Sequence, residues 1–434
     1  MPEPTLRAFL RAQLPLAPGV RRLVVGLSGG LDSTVLLHAL KNVAPEFSLP
    51  LRAVHVHHGL SPNADAWAEQ VAALCAGLQL PLAIQRVQVG RGASREGAAR
   101  EARHAAFASG LGADEALLLA QHGDDQAETF LFRLLRGAGV TGLGAMRSSR
   151  LLRRPDAAAV PQWRPFLTLS RPALRDYAEA HRLRWIEDES NQDRRYDRNF
   201  LRLEILPRLE SRWPAVRDIL AATALRLQEA DALLQDFAAE LAGSCLDAEN
   251  RCAVPALKQL SRGRQKLLLR YWLGQMGFLL PDEAVLDRAL AEMLTARADA
   301  MPRVSWPGCE LRRYRGRLYA MLPLPGIPRG WECDWSGETP LALPDGQLLL
   351  ADGEAAKSGS WTVRYRQGGE RFRPAPQRPS RELKNLLQEA GVPPWQRDRL
   401  PLVFDGDELI GMAGLDVPGA DLRWRFTLRP PSSR

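Results

Sequence analysis

The hexapeptide SGGLDS, at Ser28–Ser33, follows a short apolar run, Leu23–Leu27, and precedes a helical pattern at 33–41. The apolar run is typical of a buried strand in a parallel sheet. A strand, a glycine turn and a helix N-terminus form an anion site. Gly29 and Gly30 let the backbone approach a phosphate closely, and the first N–H groups of the helix point towards it. We therefore predict that Ser28–Ser33 is a phosphate-binding loop.

Two common phosphate loops do not fit these residues. No lysine follows the glycines, as GxxxxGK[ST] requires, and the loop lacks the spacing of GxGxxG. The hexapeptide resembles the SGGxDS loop of the PP-loop, or N-type, ATP pyrophosphatases. That resemblance implies transfer of AMP from ATP to a carbonyl oxygen with release of pyrophosphate. The alternative is an ordinary strand-to-helix turn in which Asp32 caps the helix.

The length and the cysteines limit the class of protein. A chain of 434 residues is too long for one ordinary core, so two to four domains are expected. We find no apolar stretch of about 18 residues and no signal-peptide pattern, so no membrane association is expected. Because the five cysteines are scattered without a CxxC pair, a disulfide framework, a zinc site and an iron–sulfur cluster are not expected. A reduced, cytoplasmic protein is predicted.

The charge points to a polyanionic partner. The net charge is +8, and nearly all of the cations are arginine, which forms bidentate contacts with phosphate. Between Arg147 and Arg217 there are 16 arginines and 10 acidic residues, a net charge of +6. This distribution favours a nucleic acid over an ordinary solvated surface.

Strand-like and helix-like runs alternate from residue 21 to about residue 190. Strands are predicted at 22–27, 53–57, 84–89, 115–120 and, as a short fifth, 184–186. Helices are predicted at 33–41, 64–79, 95–110, 125–136 and 171–182. Such alternation predicts an α/β fold with a Rossmann-like parallel sheet covered by helices on both faces. A nucleotide would bind beyond the carboxyl ends of the strands, where SGGLDS lies.

The pattern changes after residue 213. Helices are predicted at 219–241, 262–276 and 282–296, followed by hairpins at 312–321 and 402–412, a strand at 361–366 and a helix at 381–390. We predict a PP-loop catalytic domain at 1–213, a helical substrate-binding domain with a trailing hairpin at 214–325, and a small α+β domain at 326–434.

A group of acidic residues follows the fourth predicted strand. Asp124, Asp125 and Glu128 lie at the start of a helix, and their spacing places them on one face. Carboxylates at this edge could hold Mg²⁺ with ATP phosphates, or bind an ammonium group and accept its proton. The alternative is a helix cap formed by Asp125 and Glu128. A cap accounts neither for His122 nor for the second aspartate.

Two further clusters are less specific. His55, His57 and His58 end the second strand, but strand geometry separates His58 from the other two, so a polar wall of the cleft is favoured over a metal site. Arg100 and Arg103 share a helix face. They could clamp a phosphate, or they could form ion pairs on a solvated helix.

Several longer motifs complete the pattern. They are HVHHGLSPNADAWAE (55–69), REGAAREAR (95–103), QHGDDQAETFLFRLLRGAG (121–139), WRPFL (163–167), DRNFLRLEILPRL (197–209), GGERFRP (368–374) and the block at 383–415. With SGGLDS, and in this order, they resemble the tRNA(Ile)-lysidine synthetase family over nearly the whole chain.

The resemblance implies a defined reaction. ATP would adenylate O2 of the wobble cytidine in the CAU anticodon of tRNA-Ile and release pyrophosphate. The ε-amine of L-lysine would then attack C2 and expel AMP, which makes the enzyme a ligase that forms a C–N bond. The reactive base would have to leave the anticodon stack.

The resemblance also implies roles for individual residues. The ATP-binding residues would be Ser28, Gly29, Gly30, Leu31, Asp32 and Ser33, with Asp32 also at the reacting centre and able to hold Mg²⁺. The lysine-binding residues would be Asp124, Asp125 and Glu128, with Asp125 and Glu128 also catalytic. The tRNA-binding residues would be Arg100, Arg103, Arg198, Asn199, Arg202, Arg371 and Arg373.

Two alternatives stay open at this point. A PP-loop tRNA thiolase would normally carry sulfur on cysteines, often paired, and this chain has no such pair. A non-catalytic tRNA-binding protein would be expected to lose the acidic residues, yet Asp32, Asp124, Asp125 and Glu128 are all present. The sequence does not determine the oligomeric state, and a homodimer stays open.

Overall fold

The computed structural model of the protein describes residues 1–88, 95–156, 158–297, 300–352, 360–373, 379–413 and 425–429. They fall into two compact units, Met1–Asp236 and Phe237–Arg434. The three domain boundaries predicted from the sequence stay predictions. Over the described ranges, we find no helix with the length and apolarity needed to cross a bilayer.

The first unit is built on a sheet whose strands, within the described residues, are β1 (Arg22–Gly26), β2 (Leu51–His57), β3 (Leu82–Arg86), β4 (Glu115–Leu118), β5 (Ser149–Arg153) and β6 (Ala159–Trp163). Their order is β3-β2-β1-β4-β6-β5. All neighbours are parallel except β5, which runs antiparallel to β6 at the edge. The predicted parallel α/β sheet is confirmed.

The helices of this part are α1 (Pro2–Gln13), α2 (Leu31–Val43), α3 (Ala64–Gly77), α4 (Arg95–Gly110), α5 (Gly123–Leu134), α6 (Val140–Leu143), α7 (Arg171–Ala180), α8 (Asp197–Phe200), α9 (Leu206–Arg212) and α10 (Val216–Cys245). A π-helical turn, Leu201–Ile205, joins α8 to α9. Apolar side chains bury both faces of the sheet. Leu23 and Val25 pack with Trp163 in one core, whereas Val24 packs with Phe107 of α4 in the other.

The predicted fifth strand at 184–186 is wrong. This segment has no regular structure, and Ile186 N–H donates one hydrogen bond to Gly29 O at 2.9 Å. The position beside β4 is taken by β6, and β5 follows on its far side. The sequence analysis missed both strands because their arginine, proline and glutamine residues break the apolar run that marks a buried strand.

In the second unit, helices and a small antiparallel sheet share one core. The elements are β7 (Cys252–Ala253), α11 (Val254–Gln259), α12 (Arg262–Gln275), α13 (Glu283–Thr295), β8 (Arg303–Trp306), β9 (Cys309–Tyr314) and β10 (Arg317–Met321). The sheet order is β7-β10-β9-β8. The predicted hairpin around Gly316 is confirmed as β9–β10.

The described residues of the C-terminal part form short antiparallel strands and two helices. They are β11 (Glu332–Trp335), β12 (Leu341–Ala342), β13 (Leu348–Asp352), β14 (Trp361–Tyr365), β15 (Arg371–Phe372), β16 (Arg381–Glu382), α14 (Leu383–Glu389), α15 (Pro394–Arg397), β17 (Pro401–Asp405), β18 (Glu408–Met412) and β19 (Arg425–Arg429). The hairpin over Asp405-Gly406 is confirmed as β17–β18. The helix predicted to start at Arg381 starts at Leu383, because Arg381 and Glu382 pair with β15.

Candidate active site

The SGGLDS loop turns sharply between β1 and α2. Gly29 has φ +89°, a left-handed conformation that suits glycine, and its missing side chain leaves room for Ile186 and Val71. The hydroxyls of Ser28 and Ser33 lie 3.0 Å apart, and Ser33 Oγ accepts the N–H of Ser28 at 3.2 Å. These contacts hold the turn in one shape.

The same turn leaves backbone donors available at the start of α2. The N–H groups of Leu31, Asp32 and Ser33 have no protein acceptor among the residues that the structure describes. The N–H of Thr34 begins the helical ladder by donating to Gly30 O at 3.0 Å. The loop therefore presents a row of N–H groups and a helix N-terminus, which together suit a phosphate oxyanion. The side chain of Leu31 is buried, so this residue can contribute only its backbone.

His122 links the loop to the acidic residues. It lies at the N-terminus of α5, and its imidazole is 2% exposed. Nε2 is 3.6 Å from Asp32 Oδ2 and 3.5 Å from Asp125 Oδ2, and Nδ1 is 3.8 Å from Asp124 Oδ1. Burial opposes protonation, but the three carboxylates outweigh it and raise the pKa of His122 to about 9. At neutral pH the imidazole is therefore a cation among three acids.

Asp32 lies in the first turn of α2 and faces the same centre. Burial raises the pKa of its carboxyl group, but the nearby charges of His122, Arg171 and Arg202 lower it below its usual value. Oδ1 is buried without a hydrogen-bond partner in the described structure. An unpaired anionic oxygen beside a phosphate loop fits a cation carried with ATP. The described residues contain no group of three or more His, Cys, Asp or Glu side chains that could hold a metal ion.

Glu128 is buried against an arginine. It is 1% exposed, and Arg202 reaches it with Nε at 2.6 Å from Oε1 and Nη2 at 2.9 Å from Oε2. The same Nη2 lies 3.3 Å from Asp125 Oδ1. Burial and the charge of Asp125 raise the pKa of Glu128, while Arg202 opposes that rise. Asp125 and Glu128 therefore both contact the guanidinium group of Arg202.

The helix-cap alternative holds for one of these acids. Asp125 Oδ2 accepts the N–H of His122 at 3.0 Å, as in a capping box. Glu128 makes no such bond, and its partner Arg202 is 74 residues away in the chain. Asp124 is also engaged, because Oδ1 accepts the N–H of Arg171 at 3.0 Å and Oδ2 lies 3.3 Å from Arg217.

Two of the three residues predicted in DRNFLR (197–202) contact α5. Arg198 Nη2 donates to Thr129 Oγ1 at 3.0 Å, and Arg202, in the π-helical turn, binds the acids. Such turns are frequent at functional sites. Asn199 differs, since its side chain donates to Asp193 O at 2.9 Å within its own segment.

One of the two predicted arginines of α4 contacts the histidines at the end of β2. Arg103 Nε lies 3.3 Å from His58 Nε2, and burial and the charge of Arg103 lower the pKa of His58 to about 4. Arg100 is exposed. His55 Nδ1 is 2.8 Å from Leu27 O, which ties the end of β2 to the loop. The polar wall of the cleft that the sequence predicts for the three histidines stays a prediction.

Arg371 and Arg373 belong to the second unit. Arg371 Nη2 donates to Ser380 O at 2.7 Å, and Arg373 is exposed. Both are on the surface of that unit.

Sequence reasoning did not assign a role to His122, although its place directly after a strand and before two aspartates was a usable signal. It also missed Arg133, Arg150 and Arg164, which lie close to Arg100. Their only sequence signal was the general excess of arginine.

Three family profiles match the chain. The PP-loop domain matches residues 5–209, the TilS substrate binding domain residues 253–319, and the TilS substrate C-terminal domain residues 361–421. The tRNA(Ile)-lysidine synthase of Serratia proteamaculans is 43% identical, covering 97% of this chain and 98% of the relative. This chain belongs to the tRNA(Ile)-lysidine synthase family.

Other relatives in this family are as similar. The tRNA(Ile)-lysidine synthase of Pseudomonas aeruginosa is 44% identical, covering 94% of this chain and 93% of the relative. The tRNA(Ile)-lysidine synthase of Xanthomonas axonopodis pv. citri is 44% identical, covering 93% of this chain and 94% of the relative. The resemblance carried by the motifs is therefore confirmed along nearly the whole chain.

Solved structures are less similar. A U34-tRNA thiolase of Methanococcus maripaludis, solved with its [4Fe-4S] cluster, has a TM-score of 0.42 and 16% identity over 51% of this chain and 78% of its own. A TilS C-terminal domain has a TM-score of 0.17 and 27% identity over 20% of this chain and 78% of its own.

Proposed function

We propose that this member of the tRNA(Ile)-lysidine synthase family ligates L-lysine to C2 of the wobble cytidine in the CAU anticodon of tRNA-Ile. The observation that carries the proposal is the bridge made by His122. It links Asp32, in the first turn after the phosphate loop, to Asp125, beside the buried Glu128. The proposed phosphate site and the proposed amine site are thus linked through one buried imidazole.

In the first step, O2 of the cytosine attacks the α-phosphorus of ATP, and pyrophosphate leaves. Negative charge builds up on the phosphoryl oxygens in the transition state. The free N–H groups of Leu31, Asp32 and Ser33 are positioned to bind such oxygens, and they need no rearrangement to do so. The step turns an unreactive carbonyl oxygen into a leaving group.

In the second step, the ε-amine of lysine attacks C2, a C–N bond forms, and AMP leaves. Lysine arrives as an ammonium ion and must lose a proton before it attacks. Asp125 and Glu128 would bind the ammonium, and the raised pKa of Glu128 makes its carboxylate the better proton acceptor. Arg202 balances the two acids and would compete with the ammonium for the same oxygens. Asp124, held by Arg171 and Arg217, would add negative charge nearby.

We propose that Mg²⁺ enters with ATP and that Asp32 Oδ1, the buried oxygen without a partner, is its protein contact. The ion would neutralise phosphate charge.

We also propose a cytoplasmic location, where ATP, lysine and tRNA occur together. A homodimer stays a prediction that sedimentation at several concentrations would test.

The thiolase alternative is not favoured by the cysteines. Cys75, Cys245, Cys252 and Cys309 are buried, and burial raises the pKa of Cys252 to about 12. A thiol of that kind is a poor sulfur carrier at neutral pH. The non-catalytic alternative is not favoured by the intact acidic cluster.

The deciding experiment incubates the full chain with ATP, radiolabelled lysine and tRNA-Ile carrying CAU. We expect label in tRNA with the wild type, and a loss of about 100-fold or more with Asp32→Ala, because a charged group at the reacting centre is removed. Asp176→Ala removes an exposed aspartate of α7 and is the matched control, with wild-type activity expected.

A second variant separates the two steps. Glu128→Gln should still release pyrophosphate from ATP in the presence of tRNA, whereas lysine incorporation should fall steeply. Labelled lysine that never appears in tRNA with the wild type, or sulfur incorporated from a labelled sulfur donor in its place, would contradict the proposed function.

A further inference from the structure

Five arginines of the first unit lie close enough to repel one another, and we call them the arginine cluster. They are Arg100, Arg133, Arg150, Arg164 and Arg198. Within the described ranges, none of them has a carboxylate within ion-pair distance. Arg202, a few residues further along the chain, instead binds Glu128. The cluster is therefore a local excess of positive charge beside the acidic site.

Arg150 and Arg164 come from the two strands that the sequence analysis missed. Arg150 lies opposite Gln162 in the β5–β6 ladder, and its Nε and Nη2 donate to Gln162 Oε1 at 3.0 and 2.8 Å. Its Nη2 is also 3.3 Å from His104 Nδ1. Arg164 directly follows β6, at the carboxyl end of that strand. Since β6 runs parallel to β4, this is the edge of the sheet at which His122 lies.

The guanidinium groups are held by neutral acceptors. Arg133 Nη1 donates to Gly142 O and Ala145 O at 2.7 and 2.8 Å, and Arg164 Nη1 donates to Arg147 O at 2.9 Å. These bonds fix the positions of the cations without neutralising them. Arg164 is only 4% exposed, and its Nε is buried without a hydrogen-bond partner in the described structure.

Burial and the neighbouring positive charges lower the pKa of Arg164, in the cluster, and of His104, beside it. Burial and the charges of Arg150, Arg100 and Arg133 lower the pKa of Arg164 to about 10. Burial and the charge of Arg150 lower the pKa of His104 to about 4, so this histidine adds no further charge at neutral pH. Buried cations are ordinarily paired with anions. Only Arg164 of the cluster is buried, whereas Arg133 and Arg198 are half-buried and Arg100 and Arg150 are exposed. Cations that stand together at a surface without carboxylates can meet an anion supplied by a ligand.

We propose that the arginine cluster binds backbone phosphates of the tRNA strand next to the target cytidine and so positions that nucleotide over the acidic site. The proposal rests on the proposed function. The N–H groups at Ser28–Ser33 suit ATP phosphates, whereas the cluster lies nearer the acids, since Arg198 Nη2 donates to Thr129 Oγ1, next to Glu128, and its charge acts on Glu128. Arg133, Arg150 and Arg164 thereby become positioning residues for RNA. Planar guanidinium groups suit phosphodiester oxygens.

The test measures tRNA binding by filter retention at several salt concentrations. Arg150→Gln should weaken binding several-fold and reduce the slope of log affinity against log salt by about 1, as expected for one lost phosphate contact. Arg150→Lys should keep the slope near the wild-type value because it keeps the charge. Arg11→Gln, which removes an exposed arginine of α1, is the matched control and should change neither quantity.

Arg100→Gln, at an exposed position, gives a second measurement should Arg150→Gln disturb β5, and circular dichroism checks the fold of each variant. A salt slope unchanged in both glutamine variants would overturn the proposal. So would a raised KM for ATP with unchanged tRNA affinity, since that would assign the cluster to the nucleotide.

The binding assay for the cluster does not depend on catalysis. Wild-type protein that binds tRNA with the expected salt slope but incorporates no lysine would refute the proposed function and leave the cluster standing.

Discussion

His122 carries the most specific electrostatic prediction of this structure. A pKa of about 9 in the folded protein, against 6.5 for an unperturbed histidine, corresponds to about 3 kcal/mol of stabilisation. Because the folded pKa is the higher one, this stabilisation is fully present below pH 6.5 and is lost as the pH rises through 9. His122→Gln removes the cation and leaves Asp32, Asp124 and Asp125 facing one another.

Two measurements test the pKa of about 9 for His122. In protein with ¹³C-labelled histidine, one of the seven histidine signals should titrate near pH 9 and should be missing from the His122→Gln spectrum. In urea unfolding, the wild type should exceed His122→Gln in stability by up to about 3 kcal/mol at pH 6, and this difference should shrink as the pH rises from 6.5 towards 9 and be nearly gone above it. Comparing the two proteins at each pH cancels the titrations they share.

His181→Gln, at an exposed histidine, is the control and should leave the signal near pH 9 in place. A His122 signal that titrates at or below pH 6.5 would refute the reasoning. A stability difference that does not depend on pH would refute it as well.

Two further predictions concern packing around the site. Gly29→Ala places a Cβ 2.5 Å from Ile186 Cδ1 at a φ of +89°, so we expect a loss of about 1–3 kcal/mol in thermal unfolding and a raised KM for ATP. Gly77→Ala, which meets nothing within 4 Å, is the control, and equal behaviour of the two variants would argue against a strained loop. Glu115→Gln removes the charge of a carboxylate that is 2% exposed and accepts Arg52 Nε at 2.8 Å, which should cost about 3 kcal/mol in urea unfolding. A cost below about 1 kcal/mol would mean that the pair contributes no more than a surface ion pair.

Much of the fold was predictable because its signals are local. The apolar runs of β1, β2 and β4 and the periodicity of α2 and α5 each lie within a few residues, and all five elements were predicted. The β5–β6 pair was not, since Ser149–Arg153 and Ala159–Trp163 contain polar residues and a proline and become strands only by completing the sheet beside β4. The start of α14 was misplaced for a similar reason, because Arg381 and Glu382 pair with a strand ten residues earlier.

In the candidate site, too, the groups of neighbouring residues were predictable and the contacts between distant residues were not. The residues of the phosphate loop and the acids at 124–128 were identified because each group is contiguous in the chain. Their relation was not identified, since the contacts of His122 with Asp32 and of Arg202 with Glu128 join residues 90 and 74 positions apart. The arginine cluster also draws its members from several separate elements.

By itself, the sequence determined a phosphate loop, an α/β sheet, a set of acids at the start of a helix and membership of a tRNA-modifying family. Those conclusions depend on residue type and on spacing within short segments. Only the tertiary structure decided that His122 is a buried cation, that Arg202 binds the predicted lysine-binding acids, and that five arginines stand together without carboxylates. Coulomb interactions and desolvation depend on distance and burial in space, and the chain sets both only when remote segments pack against one another.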